Sequence, residues 1–63
     1  MAMNLKAARF NAEKTQEEVA AYVGKTKMTI RSYESYKSKP DVETAQKIAE
    51  FYGVGVDDIV WNK

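Results

Sequence analysis

Apolar residues recur along most of this chain at intervals of three and four, the spacing that places them on one face of an α-helix. Short polar or glycine-containing stretches divide the pattern into five segments, and no repeat or linker interrupts it. We therefore predict an all-α fold, a compact five-helix domain that covers residues 1–63. The predicted helices are residues 4–12, 16–23, 27–35, 42–52 and 56–60.

Residues that start and stop helices flank these segments. Thr15 and Glu18 have the spacing of a capping box, in which each side chain binds the backbone amide of the other residue. Gly24 follows at a place where helices end in a left-handed residue, and Thr26 can cap the next helix. Two short helices joined by this glycine turn form the centre of the chain.

The third helix has two chemically different faces. Ile30, Tyr33 and Glu34 cluster on one side, which can pack inward. The other side suits base edges and phosphates in a DNA major groove. A solvated helix face is the simpler alternative, but a glycine turn followed by a basic, outward helix favours DNA recognition. The outward residues are Lys27, Met28, Arg31, Ser32 and Ser35.

Arg9 lies on the inward stripe of the first helix, beside Leu5 and Ala8. An arginine that faces a core needs a partner. Glu34 lies on the inward face of the third helix, so we predict that the two residues pair, rather than reach solvent separately.

The fourth helix can begin at Asp41 and end at Gly53. The stripe predicted to face inward contains Val42, Ala45, Ile48, Ala49 and Tyr52. The fifth helix would return Val56, Ile59 and Val60 to the core. Asp57 and Asp58 resemble an acid–base pair, but two acids in a first helical turn are better explained by the helix dipole.

The composition excludes several kinds of site. The chain has no Cys and no His, which removes a thiol nucleophile, an imidazole base and an ordinary zinc site. We expect no enzyme activity, no cofactor and no small-molecule substrate. No signal peptide and no apolar run long enough to cross a membrane are visible, so we expect a cytoplasmic protein.

The distribution of charge is more informative than the net charge of +1. The middle third is basic and includes Lys37 and Lys39 in a polar loop that can hold a phosphate backbone, although a solvated loop is the alternative. The last third is acidic. We therefore expect one basic face and one acidic face.

Taken together, these residues resemble the Cro/repressor-type helix-turn-helix regulators (lambda-repressor-like, XRE family), particularly short ones from Gram-positive bacteria and their prophages. The resemblance runs from Leu5 to about Trp61 and depends on the order and spacing of many residues. The matched positions are Arg9, residues 15–20, Val23, Gly24, Ile30, Tyr33, Glu34, Lys37, Pro40, Glu43, Thr44, Ile48, Ala49, residues 52–54 and residues 56–59.

The resemblance implies roles for individual residues. Arg9 and Glu34 occupy the places of a structural ion pair. Gln16 occupies the place of a residue that binds phosphate and can buttress the recognition helix. The implied base contacts are Lys27, Met28, Thr29 and Ser32, with Arg31 on the same outward face. The implied phosphate contacts are Gln16, Thr26, Ser35, Lys37 and Lys39.

This chain departs from the family pattern at three positions. Tyr36 stands where glycine is usual, so either the loop differs or the phenol contacts phosphate. Gly55 replaces a small polar cap, and Lys14 replaces an apolar residue.

The function that the resemblance implies is sequence-specific binding of double-stranded DNA by a transcriptional regulator. We expect a Cro-like repressor that acts as a homodimer on a palindromic operator. RNA polymerase or a regulatory protein would be a further partner, and we expect no contact with a membrane. The resemblance also implies a protein of bacterial or phage origin that associates with the nucleoid. The candidate dimer surface is Phe51, Val60 and Trp61. The alternative is a protein–protein or antitoxin-like module that kept the fold but lost DNA binding, which the low net charge and Tyr36 would favour.

Overall fold

The computed structural model describes residues 2–62, which form four α-helices, one 3-10 turn and two very short strands. In chain order these are β1 (Met3–Asn4), α1 (Leu5–Asn11), α2 (Gln16–Val23), α3 (Lys27–Glu34), α4 (Val42–Tyr52), the 3-10 turn (Val56–Asp58) and β2 (Ile59–Val60). The first four predicted helices are therefore confirmed, with almost the predicted ends.

The fifth predicted helix is wrong. Residues 56–58 form a single 3-10 turn, and Ile59–Val60 continue as an extended strand that pairs in parallel with Met3–Asn4. Gly55 has no side chain that could cap a helix, and consecutive β-branched residues favour extended backbone. The helical fold therefore includes a two-stranded ladder that brings residues 3–4 beside residues 59–60.

Side chains cap the start of each α-helix. Asn4, Thr15, Thr26 and Asp41 each accept a hydrogen bond from the backbone amide three residues later. The predicted capping box is present, since the Thr15 amide also donates to the Glu18 carboxylate at 2.7 Å. These bonds satisfy amides that would otherwise lack partners in the first turns.

Each α-helix is followed by a residue with left-handed backbone. These residues are Glu13, Gly24, Tyr36 and Gly53, with φ of 58°, 74°, 63° and 75°. The conformation costs glycine little, but for other residues it costs roughly 1–2 kcal/mol. Tyr36 therefore has the left-handed backbone expected at a position where the family pattern has glycine, and its backbone is strained there.

The core receives side chains from all four helices and from β2. The largest side chains that are at most 2% exposed belong to Leu5, Val19, Ile30 and Ile48, and Ile59 of β2 is 4% exposed. These residues hold α3 with its opposite face outward.

Two side chains predicted to face the core do not do so. Val42 is 73% exposed, because it is the first residue of α4, and Thr44 takes the buried place instead. Val60 is 37% exposed, because its neighbour Ile59 uses the inward side of the strand.

Candidate nucleic-acid interface

A buried network fixes α3 against α1 and α2. Arg9 Nε donates to Glu34 Oε2 at 2.6 Å, Arg9 Nη2 donates to Glu34 Oε1 at 3.3 Å, and the two side chains are 9% and 7% exposed. Gln16 Nε2 donates to the same Oε1 atom at 3.0 Å, and Arg9 Nη1 donates to the Lys14 carbonyl at 3.0 Å. The predicted ion pair is therefore present, with Gln16 as a buttress. Hydrogen bonding to Glu34 raises the pKa of Arg9, so the guanidinium stays charged despite burial.

The outward face of α3 forms a shallow concave surface, which we call the α3 patch. Its volume is about 420 Å³. It combines two cationic side chains, a thioether and two hydroxyls, and Met28 within it is 75% exposed. The residues that line it are Met28, Arg31, Ser32, Ser35 and Lys37. The structure thus brings together most of the side chains predicted to face outward and adds Lys37 from the following loop.

The start of α3 has contacts of its own. Thr26 Oγ1 accepts from the Thr29 amide at 3.1 Å, and the two threonine hydroxyls lie 3.0 Å apart. Lys27 Nζ lies 3.2 Å from Glu17 Oε2 on the surface, and neither Lys27 nor Thr29 lines the α3 patch. This ion pair could not be predicted from the sequence, since a contact between two helices leaves no local signal.

Glu17 has a lowered pKa. The largest cause is a hydrogen bond from its own backbone amide, and the second is the Lys27 ammonium group. The carboxylate is thus charged where it meets Lys27, beside Gln16 at the start of α2.

The Tyr36 side chain points away from the α3 patch. Its hydroxyl donates to the Val60 carbonyl at 2.8 Å and accepts from the Leu5 amide at 3.3 Å. Because the single hydroxyl proton is used inside the domain, the structure does not support Tyr36 as a phosphate contact. Tyr36 instead connects the loop after α3 to both strands of the ladder, at their carboxyl-terminal end.

A second concavity, which we call the apolar groove, lies between the start of α4 and β2. Its volume is about 620 Å³. Trp61 covers part of the domain's own core, and its Nε1 donates to the Val56 carbonyl at 2.9 Å. The lining residues are Lys39, Pro40, Val42, Ala45, Gln46, Val56, Asp57, Ile59, Val60, Trp61 and Asn62. Lys39 therefore lines the groove and not the α3 patch.

The three residues of the predicted dimer surface do not lie together. Val60 and Trp61 line the apolar groove, but Phe51 does not. Phe51 stacks on Tyr22 at 4.4 Å between ring centroids, and Lys14 Nζ lies 4.7 Å from its ring. Lys14 thus covers an aromatic ring at the position where the family pattern has an apolar residue. Val42, which was predicted to face inward, also lines the apolar groove, because it lies exposed at the start of α4.

The described residues have neither a metal-binding cluster nor a membrane-spanning helix. In residues 2–62, no three Asp or Glu side chains are grouped so that they could hold a metal ion. None of the helices there has the length and apolar character needed to cross a bilayer.

The helix-turn-helix family HTH_3 matches residues 5–59, from the start of α1 to β2. The chain belongs to this family. This helix-turn-helix domain is 40% identical over 52 residues to the cryptic phage CTXphi transcriptional repressor RstR of Vibrio cholerae, a match that covers 82% of this chain and 47% of that protein. An uncharacterized HTH-type transcriptional regulator of Methanocaldococcus jannaschii is 42% identical over 45 residues, 71% of this chain and 68% of that protein. The helix-turn-helix chain thus spans about half the length of the Vibrio relative, and the resemblance to Cro/repressor-type regulators is confirmed.

Proposed function

We propose that this helix-turn-helix protein binds double-stranded DNA in a sequence-specific manner, with α3 in the major groove, and so represses transcription. The α3 patch is the observation that carries the proposal. It presents Arg31 on the outward side of α3, whose inward side is fixed by the Glu34 network, and Lys37 from the loop that follows. A rigid helix with an exposed basic surface can hold base edges and phosphates in one register.

The patch chemistry suits base recognition. Arg31 can donate to the O6 and N7 atoms of guanine, and Met28 can contact a thymine methyl group, each good contact contributing about 1–3 kcal/mol of discrimination. Lys27, Thr29 and Ser32 are the further base-contact candidates.

Phosphate contacts would set the register of the domain on DNA and carry most of the salt dependence. Gln16 keeps a second amide proton free after its bond to Glu34, and it lies at the start of α2, where a helix dipole favours an anion. The other candidates are Thr26, Ser35, Lys37 and Lys39.

Repression and dimerisation are further parts of the proposal. The Vibrio relative is named a transcriptional repressor, which supports repression by exclusion of RNA polymerase from an operator. The apolar groove supports a dimer, since Val42, Val60 and Trp61 leave apolar surface there. Two copies would read half-sites of a palindromic operator about one helical turn apart.

The rival interpretation as a protein–protein module loses one of the two observations that favoured it. It depended on the net charge of +1 and on Tyr36. The internal hydrogen bonds of Tyr36 give that residue a role within the fold, whether or not the domain binds DNA.

The test compares two variants that remove the same charge from different surfaces. Arg31→Ala alters the α3 patch, whereas Lys47→Ala alters an exposed lysine of α4. Binding to a fluorescent mixed-sequence duplex is measured by anisotropy at several salt concentrations. We expect Arg31→Ala to weaken binding about tenfold and Lys47→Ala to leave it near the wild-type value. Equal effects of the two variants, or no binding by folded wild-type protein, would contradict the proposal.

A further inference from the structure

The Tyr36 hydroxyl connects three separate parts of the domain. Tyr36 follows the cap residue of α3, and its hydroxyl lies 3.3 Å from the Leu5 nitrogen and 2.8 Å from the Val60 oxygen. Leu5 follows β1 directly, and Val60 is the last residue of β2. The hydroxyl thus bridges the two strands at their carboxyl-terminal end, from the residue that follows β1 to the last residue of β2.

The backbone at Tyr36 determines where the next residue goes. The Tyr36 amide donates to the Tyr33 carbonyl at 3.1 Å, and the Lys37 amide donates to the Ser32 carbonyl at 3.0 Å. This is the arrangement that ends a helix at a left-handed residue. It returns the chain over the end of α3 and places Lys37 beside Arg31 on the α3 patch.

We propose that Tyr36 is a positioning residue for DNA binding, and this inference rests on the proposed function. The ring is partly buried against the core, and the hydroxyl fixes it at both strands. Because the left-handed turn is thereby anchored to the body of the domain, Lys37 is held in place before DNA arrives. A glycine could adopt the same φ without strain, but it would leave the turn without that anchor.

A positioning role and a purely structural role differ in what a variant changes. A purely structural Tyr36 would affect unfolding and leave the DNA affinity of the folded protein unchanged. Tyr36→Gly removes the anchor, which lowers the stability of the fold, and also the left-handed strain, which raises it. The two effects on stability oppose each other, whereas the order of the loop can only decrease. The loss is therefore expected in DNA binding by the folded protein, through Lys37.

The experiment measures affinity for a mixed-sequence duplex as a function of salt for wild type, Tyr36→Gly, Tyr36→Phe, Lys37→Ala and the Tyr36→Gly/Lys37→Ala double variant. Tyr22→Phe is the matched control, because it removes a tyrosine hydroxyl that donates to Glu50, outside the α3 patch. Loss of one phosphate contact is expected to reduce the slope of log K against log salt by about 0.9.

We expect Lys37→Ala and Tyr36→Gly each to show that change in slope, together with about a tenfold loss of affinity. The double variant is expected to bind no more weakly than the weaker single variant, because both changes remove the same contact. Tyr36→Phe is expected to lower the melting temperature by roughly 4–8 °C and to show part of the loss in slope, whereas Tyr22→Phe keeps the wild-type slope.

The outcomes separate this inference from the proposed function. Wild-type affinity and slope in folded Tyr36→Gly, or additive losses in the double variant, would overturn the positioning role alone. If Tyr36→Gly does not fold, a wild-type salt slope in Tyr36→Phe would overturn the positioning role in its place. Absence of duplex binding by wild type would overturn the proposed function and this inference with it.

Discussion

Glu34 connects α3 to both α1 and α2. Its carboxylate receives hydrogen bonds from Arg9 on α1 and Gln16 on α2, and its side chain is only 7% exposed. A buried ion pair adds little net stability over an apolar pair, but removal of one partner leaves an uncompensated charge and costs about 3–5 kcal/mol. At roughly 0.05–0.15 kcal/mol per residue, the whole domain has about 3–9 kcal/mol to lose.

Glu34→Ala is therefore expected to unfold the domain partly or completely at room temperature. The matched control is Glu50→Ala, which removes an exposed carboxylate that accepts a hydrogen bond from Tyr22. Surface substitutions of this kind change stability little. Urea unfolding followed by circular dichroism measures both variants, and similar midpoints for the two would show that the Arg9–Glu34 pair does not stabilise the fold.

Individual residues differ in how far their partners could be predicted. The Arg9–Glu34 pair could be predicted because both charges fall on inward helix stripes and a buried charge needs a counterion. The partners of the Tyr36 hydroxyl could not, because Leu5 and Val60 are distant in sequence and meet it only after the strands pair. These internal partners do not support a phosphate contact by Tyr36.

At the scale of elements, the helices that could be predicted are those whose ends are determined by residues close in sequence. The caps at Thr15, Thr26 and Asp41 each lie three residues from the amide they bind, so the sequence alone contains both partners. The predicted fifth helix was wrong because Ile59–Val60 pair with Met3–Asn4, a contact that no local pattern encodes. Long-range pairing thus overrode a short apolar spacing that is compatible with a helix.

The start of α4 is expected to respond to acid. The Thr44 side chain and then its backbone amide, which lies 2.8 Å from Asp41 Oδ1, lower the pKa of Asp41 by hydrogen bonding. The folded pKa therefore lies below the unfolded value of about 3.9. The stabilisation by the charged carboxylate is present above that value and is lost as the pH falls through the folded pKa.

Asp41→Asn tests this effect, because asparagine caps a helix as well as aspartate but does not titrate there. We expect wild type to melt above Asp41→Asn at about pH 6, and the difference to shrink as the pH falls below about 4. Thermal unfolding of both proteins across this range measures the difference. A difference that stays constant over the range would mean that the charge of Asp41 does not stabilise α4.

At the scale of the whole molecule, the α3 patch and the apolar groove have no lining residue in common. The loop after α3 contributes to both, with Ser35 and Lys37 on the patch and Lys39 and Pro40 on the groove. A second copy bound at the groove would therefore leave the patch free for DNA. The basic face expected from the sequence is smaller than predicted, because Lys39 lines the groove and Lys27 pairs with Glu17.

Selection of bound sequences from a random duplex pool at near-physiological salt shows whether two copies read a specific DNA site through α3. We expect wild type to enrich a two-fold symmetric site with half-sites about one helical turn apart. Val42→Glu is the informative variant, because an acid suits the first turn of α4 but adds charge to the apolar groove. This variant is expected to enrich a single half-site without two-fold symmetry. Failure of folded wild-type protein to enrich any sequence would contradict specific DNA binding.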